Sequence, residues 1–155
     1  MLSQKTRYTI RALQHLADLY PDGRAQMGEI AKAQNIPAKF LTIILSEMAR
    51  VGIVHSQRGR DGGYQLALHP VDIRYGDIVR LTRGSLALVP CASRFAHETC
   101  SHCLPEKDCR LRALMLKVRD ETAAILDSIT LAHEIETVPE FTDDAASEPA
   151  STQGF

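Results

Sequence analysis

Residues 37–66 read PAKFLTIILSEMARVGIVHSQRGRDGGYQL. Two periodicities meet inside this stretch. Leu41, Ile44, Leu45 and Met48 recur at i, i+3, i+4 and i+7, which puts four apolar side chains on one face of a helix predicted over 37–51. Pro37 suits its first position, where a backbone N–H would go unbonded anyway. Gly52 suits the left-handed position just past its end. After Gly52 the period drops to two. Residues 53–57 and 64–68 read as strands, and Arg58-Gly59-Arg60-Asp61-Gly62-Gly63 between them reads as a hairpin tip rich in glycine and positive charge.

The flanks continue the pattern. Upstream, Tyr8, Ile10, Leu13, Leu16, Ala17 and Tyr20 recur near helical spacing, so a helix is predicted over 3–20, capped by Ser3 and stopped by Pro21-Asp22-Gly23. A short helix over 28–34 turns Ile30 and Ala33 inward and stops at Asn35, and Ile36-Pro37 makes the turn into the next. Downstream, a helix over 75–83 ends at Gly84. This is the order of a winged helix-turn-helix, contained in residues 1–84. Residues 85–109 hold all four cysteines. Beyond them Leu111, Met115, Val118, Thr122, Ile125 and Ile129 alternate spacings of four and three within a helix predicted over 111–133. A seam of that period is how one helix packs along another, so residues 110–135 read as a dimerisation helix. Residues 136–155 are acidic, poor in apolar side chains, and expected to be disordered. The predicted fold class is mainly α with a small β-hairpin wing: a winged helix-turn-helix domain followed by a long dimerisation helix.

The 155 residues are 45% apolar and 24% charged, the composition of an ordinary globular chain with a packed core. The net charge of −1 hides an uneven distribution: residues 1–64 carry +4, residues 65–135 are neutral, and residues 136–155 carry five acids and no base. A basic N-terminal half beside an acidic tail points to an anionic partner. No apolar run is long enough for a membrane span, and no signal peptide is visible, so a reducing cytoplasmic compartment is the expectation. Cysteines there act as ligands or redox thiols more often than as structural disulfides. No glycine-rich phosphate loop opens a helix, and no nucleophile elbow or His-Glu-x-x-His motif appears, so an enzyme is not expected.

A helix-turn-helix lays the start of its second helix in the major groove of double-stranded DNA. Lys39, Thr42, Ile43 and Ser46 lie there outside the apolar face. Lys39 can reach a phosphate or a guanine edge, and Thr42 can hydrogen-bond or meet a thymine methyl. Arg58 and Arg60 sit on a backbone thin enough to approach a minor groove, where arginine is favoured by the negative potential. Gln4, Lys5 and Arg7 are placed for phosphate contacts. A winged helix used for protein contact is the competing reading.

The cysteines run Cys91-x8-Cys100-x2-Cys103-x5-Cys109. Thiolates suit iron–sulfur clusters and zinc. Cys100 and Cys103 can present two sulfurs from one tight loop, and Cys109 precedes a helix whose dipole stabilises a thiolate. A zinc ribbon needs a second Cys-x-x-Cys knuckle, which is missing, and plant-type ferredoxin spacing is not met either. A cluster, zinc, and a thiol switch without metal stay open on spacing alone.

Arg7-Tyr8, Arg11-Ala12-Leu13, Glu29-Ile30-Ala31, Phe40-Leu41, Gly52-Ile53-Val54 and Arg58-Gly59 with Gly62-Gly63-Tyr64-Gln65-Leu66 resemble the family of bacterial winged-helix regulators that includes IscR, NsrR and RirA. The resemblance runs over about residues 2–135, closing on Leu126-Asp127-Ser128-Ile129-Thr130-Leu131-Ala132. It implies a homodimeric transcription regulator whose long helix crosses its partner's, with an iron–sulfur cluster on three loop cysteines that alters operator binding. The family's recognition helix and wing arginine fall on residues 37–46 and Arg58. Thr42 stands where some cluster-regulated members carry an acid. Cys103-x5-Cys109 matches the family's last two cysteines, Cys91 takes the first place across a longer gap, and Cys100 is extra. The family's histidine ligand position holds Arg112 and its N-terminal acidic position holds Tyr8. Cys100 is therefore the expected fourth ligand of a 2Fe–2S or 4Fe–4S cluster, with His97 and His102 as weaker alternatives. The function so read is a DNA-binding regulator whose cluster, on Cys91, Cys100, Cys103 and Cys109, answers to iron, redox or nitric oxide status. The alternative is a metal-free or zinc-bound thiol regulator of the same fold, and a cluster carrier that ignores DNA is a third.

Overall fold

Threonines, rather than the expected tyrosines, line the innermost face of the first helix. The computed structural model describes residues 2–137, so most of the acidic tail lies outside the described residues. Helix α1, Gln4–Asp18, starts where Ser3 Oγ accepts the Thr6 amide at 3.1 Å. It buries Thr6, Thr9, Ala12, Leu13 and Leu16, while Tyr8, Ile10, Ala17 and Tyr20 only flank the core. The stripe is thus rotated from the one predicted. Buried hydroxyls persist only when bonded. Here Thr9 Oγ1 donates to the Lys5 carbonyl (2.9 Å), and Thr82 Oγ1 lies 2.9 Å from Thr6 Oγ1.

Helix α2, Met27–Gln34, begins where Glu29 Oε2 accepts the Gln26 amide at 2.7 Å, and it stops at Asn35, in the left-handed region at φ 48° as expected. Helix α3, Ala38–Arg50, buries Leu41, Ile44, Leu45 and Met48, the four residues its spacing selects. Pro37 caps α3 from just outside, its carbonyl accepting the amides of Phe40 (3.0 Å) and Leu41 (3.1 Å). At the other end Gly52, at φ +77°, lets its own amide reach the Ala49 carbonyl and the Ile53 amide reach that of Met48.

The wing is a two-stranded antiparallel hairpin, β1 (Val54–Gln57) and β2 (Gly63–Leu66), with Val54 opposite Leu66 and Gln57 opposite Gly63. Both strands are shorter than predicted, because Ile53 closes α3 and Leu68 lies outside the pairing. The hairpin gains a partner that sequence periodicity did not reveal. Ala25 bridges Tyr64 through two backbone bonds (3.0 and 2.9 Å), and Gln26 Nε2 donates to the Gly62 carbonyl (2.7 Å). That approach requires glycine at position 63: its φ is +141°, and a Cβ would press on the Ala25 carbonyl oxygen at 2.8 Å.

Helix α4, Tyr75–Arg83, ends at Gly84 as expected and packs on α1. Helix α5, Arg110–Ser128, ends at Ser128 rather than His133. Residues 129–131 instead run back beside the approach to α4. The Tyr75 amide donates to the Ile129 carbonyl (3.1 Å), the Leu131 amide to that of Ile73 (2.9 Å), and Thr130 and Leu131 are buried there. A helix continued to His133 would forgo these two backbone bonds. The Arg80 guanidinium also grips Asp127 of α5 through two parallel bonds of 2.8 and 2.7 Å. No residue of α5 is fully buried, and Leu111, Leu114 and Ile125 on its outer face are exposed by more than half.

Arg80 holds the Asp127 carboxyl below the usual aspartate range, first through these hydrogen bonds and then through its charge. A carboxyl lowered in the folded state contributes stability above its unfolded pKa and loses it as pH falls through the folded one. Asp127→Asn is expected to cost about 1 kcal/mol at neutral pH, discounted for partial exposure. Thermal melts against pH check this: the gap between wild type and variant should close below the ordinary aspartate range. Gly76→Ala, which drives a methyl group into the Asp127 carboxylate, should lower Tm further than Asp127→Asn.

Candidate nucleic-acid interface and cysteine pocket

Helix α3 and the wing tip present the predicted contact residues outward. Lys39, Thr42, Ile43 and Ser46 are exposed on α3, as are Arg58 and Arg60 on the tip and Arg7 on α1. Among the described residues Arg7, Lys39, Arg58 and Arg60 carry no ion pair, so their charge is free for an anionic partner. Lys5 differs. Its Nζ lies 2.7 Å from Glu47 Oε2, bracing α1 against α3. The pair neutralises an acidic side chain on the outer side of α3. Thr42 is partly committed as well: its hydroxyl proton goes to the Ala38 carbonyl (2.9 Å), beside the Met27 sulfur at 3.1 Å. Its methyl group and an acceptor lone pair remain available on the exposed face. Phe40, at 45% exposed, lies edge-on to Tyr8 with ring centroids 6.0 Å apart.

The four cysteines, far apart along the loop, line one small pocket of about 20 Å³ together with Glu106 and Arg112. Short 3-10 turns at Pro90–Ala92 and Glu106–Asp108 bring Cys91 and Cys109 to it. Cys91 is buried, Cys100 and Cys109 half-buried, and Cys103 exposed; all four are free thiols. Cys109 caps α5, its Sγ accepting the Arg112 amide at 3.4 Å, as its place before a helix implied. Burial, followed by a hydrogen bond with Cys100, pushes the Cys91 thiol up; a hydrogen bond with Cys100, followed by burial, does the same for Cys103. Cys100 is thus the thiol that the other two share.

His97 and His102 do not join the cysteines. His97 Nε2 pairs with Glu106 Oε1 at 2.8 Å, and His102 is exposed at a positive φ. Arg112 faces the pocket, but its Nε is committed to the Cys91 carbonyl (3.1 Å) and to Glu106 Oε2 (3.2 Å). Sequence reasoning missed Glu106. Only the fold shows that it joins His97 to Arg112 beside the sulfurs. The donor chemistry of four thiols suits a soft metal. Their spacing in this conformation does not: among the described residues no group of three or more His, Cys, Asp or Glu is arranged to hold an ion.

Exposure sets the two ends of the order of reactivity, with Cys103 open to solvent and Cys91 buried. Alkylation of the reduced protein is expected at Cys103 first and at Cys91 last, read by peptide mass spectrometry over a time course.

The Rrf2 family model, described as an iron-dependent transcriptional regulator, matches residues 2–137. An rrf2-like HTH-type transcriptional regulator of Rhodobacter capsulatus is 37% identical over 134 residues, 84% of this chain and 89% of the relative. The HTH-type regulator NsrR of Geobacillus kaustophilus is 33% identical over 135 residues, covering 87% of this chain and 89% of the relative. Among solved structures, CymR, the global cysteine regulator of B. subtilis, superposes with a TM-score of 0.68 at 31% identity, over 84% of this chain and 92% of CymR. The match to the family model spans the helix-turn-helix, the wing, the cysteine loop and the long helix together, and the chain belongs to the Rrf2 family of winged helix-turn-helix transcription regulators.

Proposed function

We propose that this chain is a homodimeric transcription regulator whose affinity for an operator follows the chemical state of the Cys91, Cys100, Cys103 and Cys109 pocket. The observation that carries the reading is the convergence of all four thiols on one space of about 20 Å³. Cys100 shares a hydrogen bond with Cys91 and with Cys103, which favours chemistry between these sulfurs. Oxidation of Cys100 with Cys91 or Cys103 forms one S–S bond. The two thiols lose two protons and two electrons, and a peroxide takes these up to give two waters. The protonated thiols set a slow threshold, because the thiolate is the reactive form.

DNA binding rests on the free charge of Lys39, Arg58 and Arg60 and on the exposed start of α3. A dimer joined along the outer face of α5 places two such units on one duplex, with recognition helices about one helical turn apart, ~34 Å. Whatever changes the tilt of α5 changes that separation.

A second reading is favoured by the donor set and by similarity to NsrR and to an iron-dependent family. In it Cys91, Cys100, Cys103 and Cys109 hold an iron–sulfur cluster, which would supply a group that oxidation, nitric oxide or iron shortage removes. Loading it requires the pocket to open and the raised thiols to release their protons, so uptake should strengthen as pH rises. Zinc would need the same deprotonation.

Two measurements test the function. On a duplex selected from a random pool, binding should weaken steeply with salt, and Arg58→Ala should reduce the slope by about one unit and weaken all sequences alike. A salt-independent affinity overturns DNA recognition. Affinity is then measured for reduced protein and for protein treated with peroxide. The thiol reading expects a loss of about tenfold, accompanied by a disulfide that includes Cys100. Anaerobically isolated protein with visible absorption, iron and sulfide, whose operator affinity drops when the cluster is removed, would replace it with the cluster reading.

A further inference from the structure

Helix α5 grips the cysteine-bearing turn through two of its arginines. Arg112 Nε donates to the Cys91 carbonyl at 3.1 Å. On the same face two turns later, Arg119 Nη1 donates to the Ala92 carbonyl at 2.6 Å, while its Nε and Nη2 hold Asp120 Oδ1 at 2.8 and 2.7 Å. Consecutive carbonyls of the turn Pro90–Ala92 are therefore each taken by a guanidinium of one helix. The Arg119 side chain is only 12% exposed, so water competes little for its bonds. Cys109, capping α5, adds a link from the pocket to the helix start.

We propose that Arg112 and Arg119 are the positioning residues that convert a change of sulfur chemistry in the pocket into a movement of α5, and through it into operator affinity. The inference rests on the reading of the cysteine pocket as the sensor. Guanidinium–carbonyl bonds are directional. When Cys91 changes partner, the turn that carries it must either break both bonds or take α5 along. Breaking them leaves shielded donors and acceptors without partners, which is the costlier course. The far end of α5 is tied at residues 129–131, so the movement pivots there. Neither arginine needs to touch a ligand or DNA to act in this way.

The test compares wild type with Arg112→Met/Arg119→Met, which keeps both aliphatic stems and removes the donors. Dimerisation by light scattering, folding by circular dichroism and the number of titratable thiols are recorded alongside operator affinity before and after peroxide. With about a tenfold reduced-to-oxidised ratio in wild type, the variant should retain dimer, fold and four oxidisable thiols, yet show a ratio within about twofold of one. A folded, dimeric variant with the wild-type ratio overturns the inference and leaves the sensor reading intact. A wild-type ratio of one overturns the sensor reading itself. If the double variant does not fold, Arg112→Lys and Arg119→Lys, which keep charge and stem, decide by the same ratio. A reduced ratio in either supports the coupling, and the wild-type ratio in both removes it.

Discussion

Two backbone hydrogen bonds, from Tyr75 to Ile129 and from Leu131 to Ile73, tie the end of the long helix to the winged helix-turn-helix half of the molecule. Backbone bonds of this kind contribute only about 1 kcal/mol each. Their importance is geometric. With Thr130 and Leu131 buried beside them and Arg80 gripping Asp127 one turn earlier, they fix the direction in which α5 leaves the core. That direction sets where the exposed apolar face of α5, with Leu111, Leu114 and Ile125, points.

The opposite end of α5 is held by different chemistry. There the helix begins on a cysteine sulfur and grips, through arginine, the turn that carries another cysteine. One rigid element therefore joins a structural anchor at one end to a reactive pocket at the other. Its inner face is spent on charged groups paired with the body, and its outer face is left apolar. Such a division leaves an apolar stripe on a helix whose other face is already held by the body.

Electrostatics is divided in the same way. Among the described residues Arg7, Lys39, Arg58 and Arg60 carry no ion pair on the exposed side of α1, α3 and the wing, whereas Lys5 pairs with Glu47. The whole-chain charge of −1 describes neither surface. Around the cysteines several charges are paired: His97 and Arg112 share Glu106, and Arg94 and Arg119 share Asp120.

Where local spacing alone specifies an element, the sequence predicts it well. Leu41, Ile44, Leu45 and Met48 are buried as their period requires, helix 75–83 has the expected bounds, and Asn35, Gly52 and Gly84 end their helices because each takes a positive φ. The wing's glycine-rich tip and the outward Lys39, Thr42, Ser46, Arg58 and Arg60 were legible for the same reason. The buried threonines of α1 were not, since residue type alone does not show that Lys5, one turn back, satisfies Thr9 or that Thr82, far along the chain, meets Thr6.

By itself, then, the sequence determined the order of elements, the exposed basic residues of α3 and the wing and the cysteine-bearing loop, because helical period, turn chemistry and residue type act over a few neighbours. Tertiary structure alone decided the rest. It ended α5 at Ser128 so that Ile129 and Leu131 could return to the body, added Ala25 to the wing, drew Lys5 to Glu47, and closed four distant thiols on one small space. Each of these is a contact between residues far apart in the chain, whose free energy exists only once both have been brought together.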